Sequence, residues 1–365
     1  MQTLRLIETD LTYADLSTSL SPAIERALEE LKGPDTIVVD RFKGGSFTIG
    51  VLEDPDKSLD LDYCRQENIV VRRRQNPGGA IWGPPGGAML IYFLNTLDSQ
   101  APFKSVSEAF QKGLTDLAGV ISSQFGIPAR YRPLNDIEVE GRKLVATSAR
   151  LENGILTFRL LINLVPTDRE ILNKAIKVAP EKVQDKQIKE AGARFTCLEA
   201  EIGRECTDED LRNLVEGAAR KTFGSDVMLK PGSLTDLEKG YQAQYQKHFT
   251  SESWFRANSE TVRFQDRPDG SVVTEGRHKA PAGLIRVTLL VHKNIIHNLI
   301  LTGDFHPSPM KVIQDMEEAL KGKTAELGTI REELTRILDR PGVEIPGTTV
   351  EDFVAAFVKA LSWEH

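Results

Sequence analysis

The sequence has few cysteines and no apolar run long enough to span a membrane. Three cysteines among 365 residues (Cys64, Cys197 and Cys206) give no disulfide framework and fit a reducing compartment. A transmembrane helix needs about 20 consecutive apolar residues. The start of the chain alternates in polarity and carries acids, which is unlike a signal peptide. We therefore predict a cytoplasmic protein with no membrane partner.

An excess of positive charge is also missing. The chain has 46 Lys and Arg against 53 Asp and Glu, for a formal net charge of −7. Proteins that bind nucleic acid usually present a basic field to the phosphates. We therefore predict no nucleic-acid partner and a monomeric state, and any basic cluster has to act locally.

The standard phosphate-binding motifs are absent, although one segment combines charge with irregular backbone. The chain has no G-x-x-x-x-G-K-[ST] and no G-x-G-x-x-G sequence. Residues 72–89, RRRQNPGGAIWGPPGGAM, place three arginines beside five glycines and three prolines. Such a segment is either a surface turn or an anion site, because arginine supplies charge and glycine lets a ligand approach the backbone.

A second basic position follows a predicted turn. In NDIEVEGRKL, Lys143 comes two residues after Gly141 and lies between two predicted strands. A lysine at this place is either a surface cation on a hairpin or a cation that points into a cleft. Together with the arginine-glycine segment, it suits a reaction in which one anion attacks another.

Two further groups of residues are weaker candidates. Asp304 and His306 in TGDFHP form a candidate metal pair, although two such residues after a strand more often form a turn. All three cysteines precede residue 207 and all six histidines follow residue 247, so a Cys-His dyad would have to span both halves of the chain. This layout disfavours cysteine-histidine catalysis.

The periodicity predicts an α/β (α+β) protein with two domains. We predict an early helix capped by Ser21, an amphipathic helix that ends at Gly126, and strands joined by turns at Gly141 and Asn153-Gly154. A helix at 234–249 is predicted to connect the two parts. The second part is predicted to hold a hairpin around Lys293-Asn294 and three helices. The predicted domains are residues 1–249, catalytic, and residues 250–365, accessory.

These residues resemble the signatures of lipoate–protein ligases in the biotin/lipoate ligase superfamily. The first signature, two arginines, a variable residue, Ser or Thr, three glycines and Ala, is present as residues 73–80, with Asn76 and Pro77 as departures. The second, Asn-Asp, a short strand and Gly-Arg-Lys, is present as residues 135–143. Residues 180–203 are similar to a later ligase segment, and residues 251–365 look like the family's C-terminal accessory domain.

The resemblance implies a mixed-sheet catalytic domain and an ATP-dependent reaction. Lipoate, or a related medium-chain acid, would react with ATP and Mg²⁺ to form lipoyl-AMP, an acyl-adenylate. A lysine of a carrier, either a lipoyl domain or a lipoate-binding protein, would then accept the lipoyl group. The resemblance makes Lys143 the catalytic cation and Asp136 a metal-binding residue. The residues implied to bind ATP or lipoyl-AMP are Arg73, Arg74, Asn76, Gly78, Gly79, Ala80, Ile81, Trp82, Asp136 and Lys143.

Two alternatives stay open. The first is an acyltransferase of the same superfamily that transfers lipoyl or octanoyl groups through a cysteine thioester without ATP. Such enzymes carry their cysteine shortly before the Gly-Arg-Lys motif, and residues 129–140 contain none, which favours the ligase. The second is a non-catalytic protein that binds an adenylate or a lipoyl domain. Pyrophosphate release with ATP, Mg²⁺ and lipoate separates a ligase from both.

Overall fold

A computed structural model describes residues 2–30, 33–177 and 194–362. The strands are β1 (Thr3–Glu8), β2 (Thr36–Arg41), β3 (Ser46–Ile49), β4 (Val70–Arg73), β5 (Ile81–Gly83), β6 (Ala88–Asn95), β7 (Ala129–Arg132), β8 (Asp136–Val139), β9 (Arg142–Glu152), β10 (Ile155–Ile162), β11 (Met228–Pro231), β12 (Val272–Ala280), β13 (Gly283–His292) and β14 (Ile295–Gly303).

The helices are interspersed with these strands in the first part; in the second part, two short helices precede the strands and three longer ones follow them. They are α1 (Ala14–Glu29), α2 (Pro55–Ser58), α3 (Leu61–Gln66), α4 (Val106–Glu108), which continues through a π turn (Ala109–Gly113) into α5 (Leu114–Phe125), α6 (Arg169–Ala175), α7 (Leu198–Ile202), α8 (Asp208–Phe223), α9 (Asp236–Phe249), α10 (Glu252–Phe255), α11 (Glu260–Arg263), α12 (Lys311–Leu320), α13 (Leu327–Leu338) and α14 (Val350–Leu361).

The first part is built on an eight-stranded mixed sheet in the order β11-β1-β2-β6-β10-β9-β8-β7. The central strands β6 and β10 are apolar along nearly their whole length because both faces of the sheet are covered. Helices α5 and α8 pack on one face, and α1 packs on the other through Leu20, Ile24 and Leu28. A small sheet, β4-β3-β5, lies beside this layer and carries residues 74–80 in the connection between β4 and β5.

The second part is a three-stranded sheet, β12-β13-β14, with α12, α13 and α14 packed on one face. Alternate β13 residues such as Ile285 and Val287 lie in that core. The other face of β13 is turned to the first part of the chain, where Lys57 Nζ lies 3.3 Å from Thr288 Oγ1. This face takes part in the candidate site, because neighbouring residues of a strand point to opposite sides.

The predicted fold class is confirmed, and so are the strands within residues 136–162 with their turns. The predicted helix end is confirmed as well, because α5 stops at Gly126, a residue in the left-handed backbone conformation. The prediction of Ser21 as a cap is wrong. Helix α1 already begins at Ala14 and continues through Pro22, since its apolar face packs on the sheet. Helix α9 is not a free connector: Tyr241 Oη donates to Glu30 Oε1 at 2.7 Å.

Two other expectations have different outcomes. Strand β12 was not predicted, because its sequence VVTEGRHKA mixes charge and glycine with few apolar residues. The segment at 180–203 lies mostly outside the described residues, which resume at Arg194.

In the described part of the chain, no helix is both long and apolar enough to cross a membrane. The domain limits at 249 and 250 stay a prediction.

Candidate active site

A cleft of about 890 Å³ lies where the small sheet, the β8–β9 hairpin and the β12–β14 sheet meet. Of the residues predicted from the sequence, Arg74, Gly78, Gly79, Ala80, Ile81, Trp82, Asp136 and Lys143 line this cleft. Arg73 and Asn76 lie behind it. The structure therefore brings the two sequence motifs together across one cavity, although they are about 60 residues apart in the chain.

Lys143 is a partly exposed cation held by one carboxylate. It lies at the start of β9, where a bulge in the β8–β9 pairing sets Lys143 opposite Glu138. Its Nζ is 2.7 Å from Asp136 Oδ1, and its side chain is 28% exposed. A cation of this kind has a fixed position and still faces the cavity, so an anion in the cleft can reach it.

Arg74 is held in a different way, by the backbone of its own loop. Its guanidinium donates to the carbonyl oxygens of Thr48, Pro77 and Gly79 at 2.9–3.0 Å, and the residue is 1% exposed. Burial, together with the nearby charge of Arg159, lowers the pKa of Arg74 to about 9. The side chain therefore fixes the shape of residues 74–80.

The loop that Arg74 holds turns sharply at Gly78. The φ angle of Gly78 is +97°, and a Cβ atom there would lie 3.0 Å from Arg74 Nη2 and 3.2 Å from His306 Nε2. Among the described residues, the amides of Gly78, Gly79 and Ala80 donate no hydrogen bond. The loop thus has unused backbone donors in the wall of the cleft, which is the arrangement that binds phosphate oxygens.

Arg73 and Asn76 stabilise the back of the loop. Arg73 donates to the carbonyl oxygens of Trp254 and Val51, and Trp254 Nε1 donates to the Arg73 carbonyl at 2.8 Å. Burial lowers the pKa of Arg73 to about 10. Asn76 is fully buried, and its Nδ2 donates to the Thr157 carbonyl at 3.3 Å. Arg73 therefore ties the loop to the segment that enters the second part of the chain.

Several residues of the second part belong to the cleft and were not predicted from the sequence. Those that line it are Lys279, Pro281, Ala282, Gly283, Leu284, Arg286 and Asp304. His306 is buried behind the loop, where its ring meets Phe110 edge-on at 5.1 Å. The unusual sequence TGDFHP was a signal for this contact, but only the docking of the two parts shows what the segment touches.

Cys197 also lines the cleft close to Lys143. The amide of the preceding Thr196 donates to the Lys143 carbonyl at 3.0 Å, which places residues 195–197 alongside β9. Cys197 is buried, and this burial raises the pKa of its thiol. The sequence analysis did not place a cysteine near Lys143, because 54 residues separate the two.

The structure shows no protein site with a full set of metal ligands. In the part of the chain that the structure describes, no group of three or more His, Cys, Asp or Glu side chains could hold a metal ion. Asp304 and His306 therefore do not belong to such a group. Mg²⁺ that arrives with a nucleotide needs only one or two protein carboxylates in addition to phosphate oxygens. Asp136 in the cleft fits that limited demand.

The model of the lipoyl protein ligase A/B catalytic domain matches residues 22–219, more than half of the chain. The chain belongs to this family. A second model, of the bacterial lipoate protein ligase C-terminus, matches residues 273–357. Both parts of the structure thus correspond to parts of lipoate–protein ligases, as the sequence resemblance predicted.

Relatives of this ligase family differ in the reaction for which they are named. The lipoate-protein ligase LplJ of Bacillus subtilis is 24% identical over 79% of this chain and 81% of its own length. The octanoyltransferase LipM of Clostridioides difficile is 23% identical over 66% of this chain and 93% of its own length. The family is therefore established, whereas its members include both ligases and a transferase.

Solved structures agree with the fold. P. falciparum LipL1 in complex with lipoate superposes with a TM-score of 0.67 at 14% identity and covers 94% of this chain and 95% of its own. A lipoate-protein ligase A bound with ATP gives a TM-score of 0.58 at 19% identity over 70% of this chain and 98% of its own. At these identities the comparison establishes the fold, which is the mixed-sheet fold predicted from the sequence.

Proposed function

We propose that the protein is an ATP-dependent lipoate–protein ligase that forms lipoyl-AMP and transfers the lipoyl group to a lysine of a carrier. The observation that carries this proposal is the position of Lys143. Its ammonium group faces the same cleft as the unused amides of Gly78, Gly79 and Ala80. A cation opposite a row of backbone donors suits a reaction between a carboxylate and a phosphate.

The activation step has to bring two anions together. A carboxylate oxygen of the acid attacks the α-phosphorus of ATP, the bond from that phosphorus to the bridging oxygen breaks, and pyrophosphate leaves with the electron pair. Lys143 lowers the repulsion between the two anions and stabilises the charge that develops on the phosphoryl oxygens. Asp136 Oδ1, 2.7 Å from Lys143 Nζ, holds the ammonium group in place.

The other residues of the cleft bind and orient the nucleotide. The amides of Gly78, Gly79 and Ala80 are donors for phosphate oxygens, and Trp82 supplies an apolar surface against the nucleotide. Arg74 acts through this loop, because its guanidinium donates to the carbonyl oxygens of Pro77 and Gly79. Asp136 is the candidate carboxylate for Mg²⁺, which would screen the charge of the polyphosphate when it is bound.

Transfer completes the reaction. The amine of a carrier lysine attacks the acyl carbon of lipoyl-AMP, AMP leaves, and an amide bond forms. The carrier we propose is a lipoyl domain or a similar lipoate-binding protein, since one related solved structure describes a two-part archaeal lipoate protein ligase together with its E2 lipoyl domain. The chain would act on this carrier as a soluble cytoplasmic monomer.

The test is pyrophosphate release by the full-length protein with ATP, Mg²⁺ and lipoate. We expect release that depends on lipoate, together with lipoyl-AMP detected by mass spectrometry. Octanoate in place of lipoate tests the choice of acid. A protein that binds ATP or a lipoyl domain but releases no pyrophosphate with either acid would be the non-catalytic binding protein.

The second candidate function is an ATP-independent acyltransferase, which the position of Cys197 favours. A thiol in the same cleft as Lys143 could take an acyl group from one carrier as a thioester and pass it to a lysine of another. The test mixes the protein with an acylated carrier and no ATP, followed by intact-mass measurement. An acyl adduct that is lost in Cys197→Ala would establish the transferase, and its absence favours the ligase.

A further inference from the structure

One buried cation of the cleft is not used by the mechanism above. Arg286 lies on β13, lines the cleft and is 4% exposed. Its Nε and Nη1 atoms are buried and have no hydrogen-bond partner among the described residues. Leaving charged donors buried without acceptors is costly, so an anionic acceptor from outside the chain is the expected partner.

The carboxylates near Arg286 do not supply that acceptor. Glu275 Oε1 is 3.7 Å from Arg286 Nε, too far for a hydrogen bond. The same carboxylate also pairs with Lys57 and, at 2.5 Å, with Arg277. Burial alone would raise the pKa of Glu275, but its bonds to these cations hold the pKa below its usual value. Three cations thus share one carboxylate.

Other acidic groups lie near Arg286 and reduce the positive charge around it. Asp54 is buried near Arg286, and its side chain accepts from the Asp56 amide at the start of α2. Glu53 and Asp304 line the cleft, where Glu53 accepts a hydrogen bond from Ser58 and Asp304 one from the Leu284 amide. These carboxylates are each bonded to their own donors, whereas the guanidinium of Arg286 has none of its donors in use.

Arg286 and Lys143 reach the cleft from different sheets. Lys143 comes from β9 of the eight-stranded sheet, Arg286 comes from β13 of the three-stranded sheet, and both residues line the one cleft. ATP carries anionic groups of two kinds: the α-phosphate that is attacked and the β- and γ-phosphates that leave. A cleft with two cations from different sheets can hold both ends of the triphosphate.

We propose that Arg286, with Lys57 beside it, binds the β- and γ-phosphates of ATP and the pyrophosphate that leaves. The inference rests on the proposed ATP-dependent activation. The planar guanidinium forms paired hydrogen bonds with phosphate oxygens, and Lys57 adds a point charge from α2. Because Arg286 belongs to the second part of the chain, this part completes the pyrophosphate end of the site. Transfer from lipoyl-AMP does not need that end.

The experiment measures binding of pyrophosphate with Mg²⁺ to the full-length protein by calorimetry. Arg286→Gln should weaken this binding by about 10- to 100-fold, the loss expected for charge-assisted hydrogen bonds. AMP binding and lipoyl transfer from supplied lipoyl-AMP should stay as in the unchanged protein. The matched control is Arg277→Gln, which removes a cation from the neighbouring strand that does not line the cleft, and it should bind pyrophosphate normally.

Three results would overturn the assignment: no pyrophosphate binding by the unchanged protein, unchanged binding in Arg286→Gln, or equal loss of pyrophosphate and AMP binding. If Arg286→Gln does not fold, hydrogen exchange of the unchanged protein decides, because pyrophosphate should protect residues 283–288. Failure of the proposed function looks different. In that case pyrophosphate binds through Arg286, but lipoate causes no pyrophosphate release from ATP.

Discussion

Arg74 and Lys143 are two cations in the same cleft, each next to a glycine-containing turn, yet their surroundings differ. Arg74 is 1% exposed and donates to three carbonyl oxygens of the loop and of β3. Lys143 is 28% exposed and pairs with the single carboxylate of Asp136. The acceptors of Arg74 are fixed backbone groups, whereas the cavity side of Lys143 is open to a ligand.

The difference shows that one cation of the cleft stabilises the loop, whereas the other is available to a substrate. A buried guanidinium without acceptors is costly, and the carbonyl partners of Arg74 offset that cost. A half-exposed ion pair contributes little to the free energy of unfolding. Lys143 is therefore free to act on a substrate, and Arg74 determines the shape of the surface that the substrate meets.

The largest expected effect is the loss of activity in Lys143→Ala. Removing the cation between two anions should slow lipoate-dependent pyrophosphate release by about 10²–10³-fold or more. The free energy of unfolding should fall by no more than about 1 kcal/mol, because the pair with Asp136 is partly exposed. Both quantities are measured on the same protein, with Lys174→Ala as control, since Lys174 is an exposed lysine on α6 outside the cleft. Near-normal pyrophosphate release by a folded Lys143→Ala protein would contradict the role assigned to Lys143.

The second effect is on stability, in Arg74→Ala. Three carbonyl oxygens lose their donor and a buried side chain is removed, so the free energy of unfolding should fall by about 2–4 kcal/mol. Urea unfolding measures this change. The control is Arg72→Ala, whose partly exposed side chain pairs with Asp15 at 2.5 Å and should cost less than about 1 kcal/mol. Unchanged stability together with weaker ATP binding would make Arg74 a phosphate ligand, as the family signature implies.

The third effect is a pH dependence at His306, which packs against the loop that Arg74 holds. Burial, together with the charge of Arg74, lowers the pKa of His306 to about 3, whereas the unfolded chain takes up this proton near pH 6.5. Stability from the neutral ring is complete above pH 6.5 and is lost as the pH falls toward 3. The loss is about 1.4 kcal/mol per pH unit, or about 2 kcal/mol between pH 7 and pH 5.

The measurement compares the free energy of unfolding of the unchanged protein with that of His306→Asn at pH 7, 6 and 5. The difference between the two proteins isolates this residue from the carboxylates that titrate in the same range. The advantage of the unchanged protein over the variant should shrink as the pH falls. A difference that stays constant with pH would mean that His306 is not buried as a neutral group.

The smallest effect is expected for Cys197→Ala, beside Lys143. Burial raises the pKa of this thiol, so it remains protonated and a poor nucleophile at neutral pH. ATP-dependent ligation by the variant should therefore match that of the unchanged protein. Cys206→Ala serves as the control, because Cys206 is not among the residues that line the cleft. Loss of activity in Cys197→Ala but not in Cys206→Ala would show that Cys197 takes part in the reaction.

Local patterns identified one side of the site and missed the other. Asp136 and Lys143 could be predicted as neighbours because a short turn at Gly141 forces the two strands to pair. The left-handed turn residues Lys293 and Asn294 were predictable in the same way. Ser21 lies inside helix α1 and is not its cap, since a helix can continue through Pro22 when its apolar face is packed. His306 and Arg286 could not be assigned, because residues near them, Gly78 and Asp54 respectively, come from the other part of the chain.

The sequence by itself determined most of the elements, the two motifs and the family, because turn residues, hydrophobic periodicity and short spacings act between neighbours in the chain. Only the tertiary structure decided which cations are available. Arg73, Arg74 and Lys143 belong to equally basic motifs, yet the packed chain buries both guanidinium groups against carbonyl oxygens and leaves the ammonium group of Lys143 partly exposed in the cleft. Long-range contacts bring Arg286 and His306 to residues more than 200 positions away. Burial and hydrogen bonding are properties of the packed chain, and they set what each charge can do.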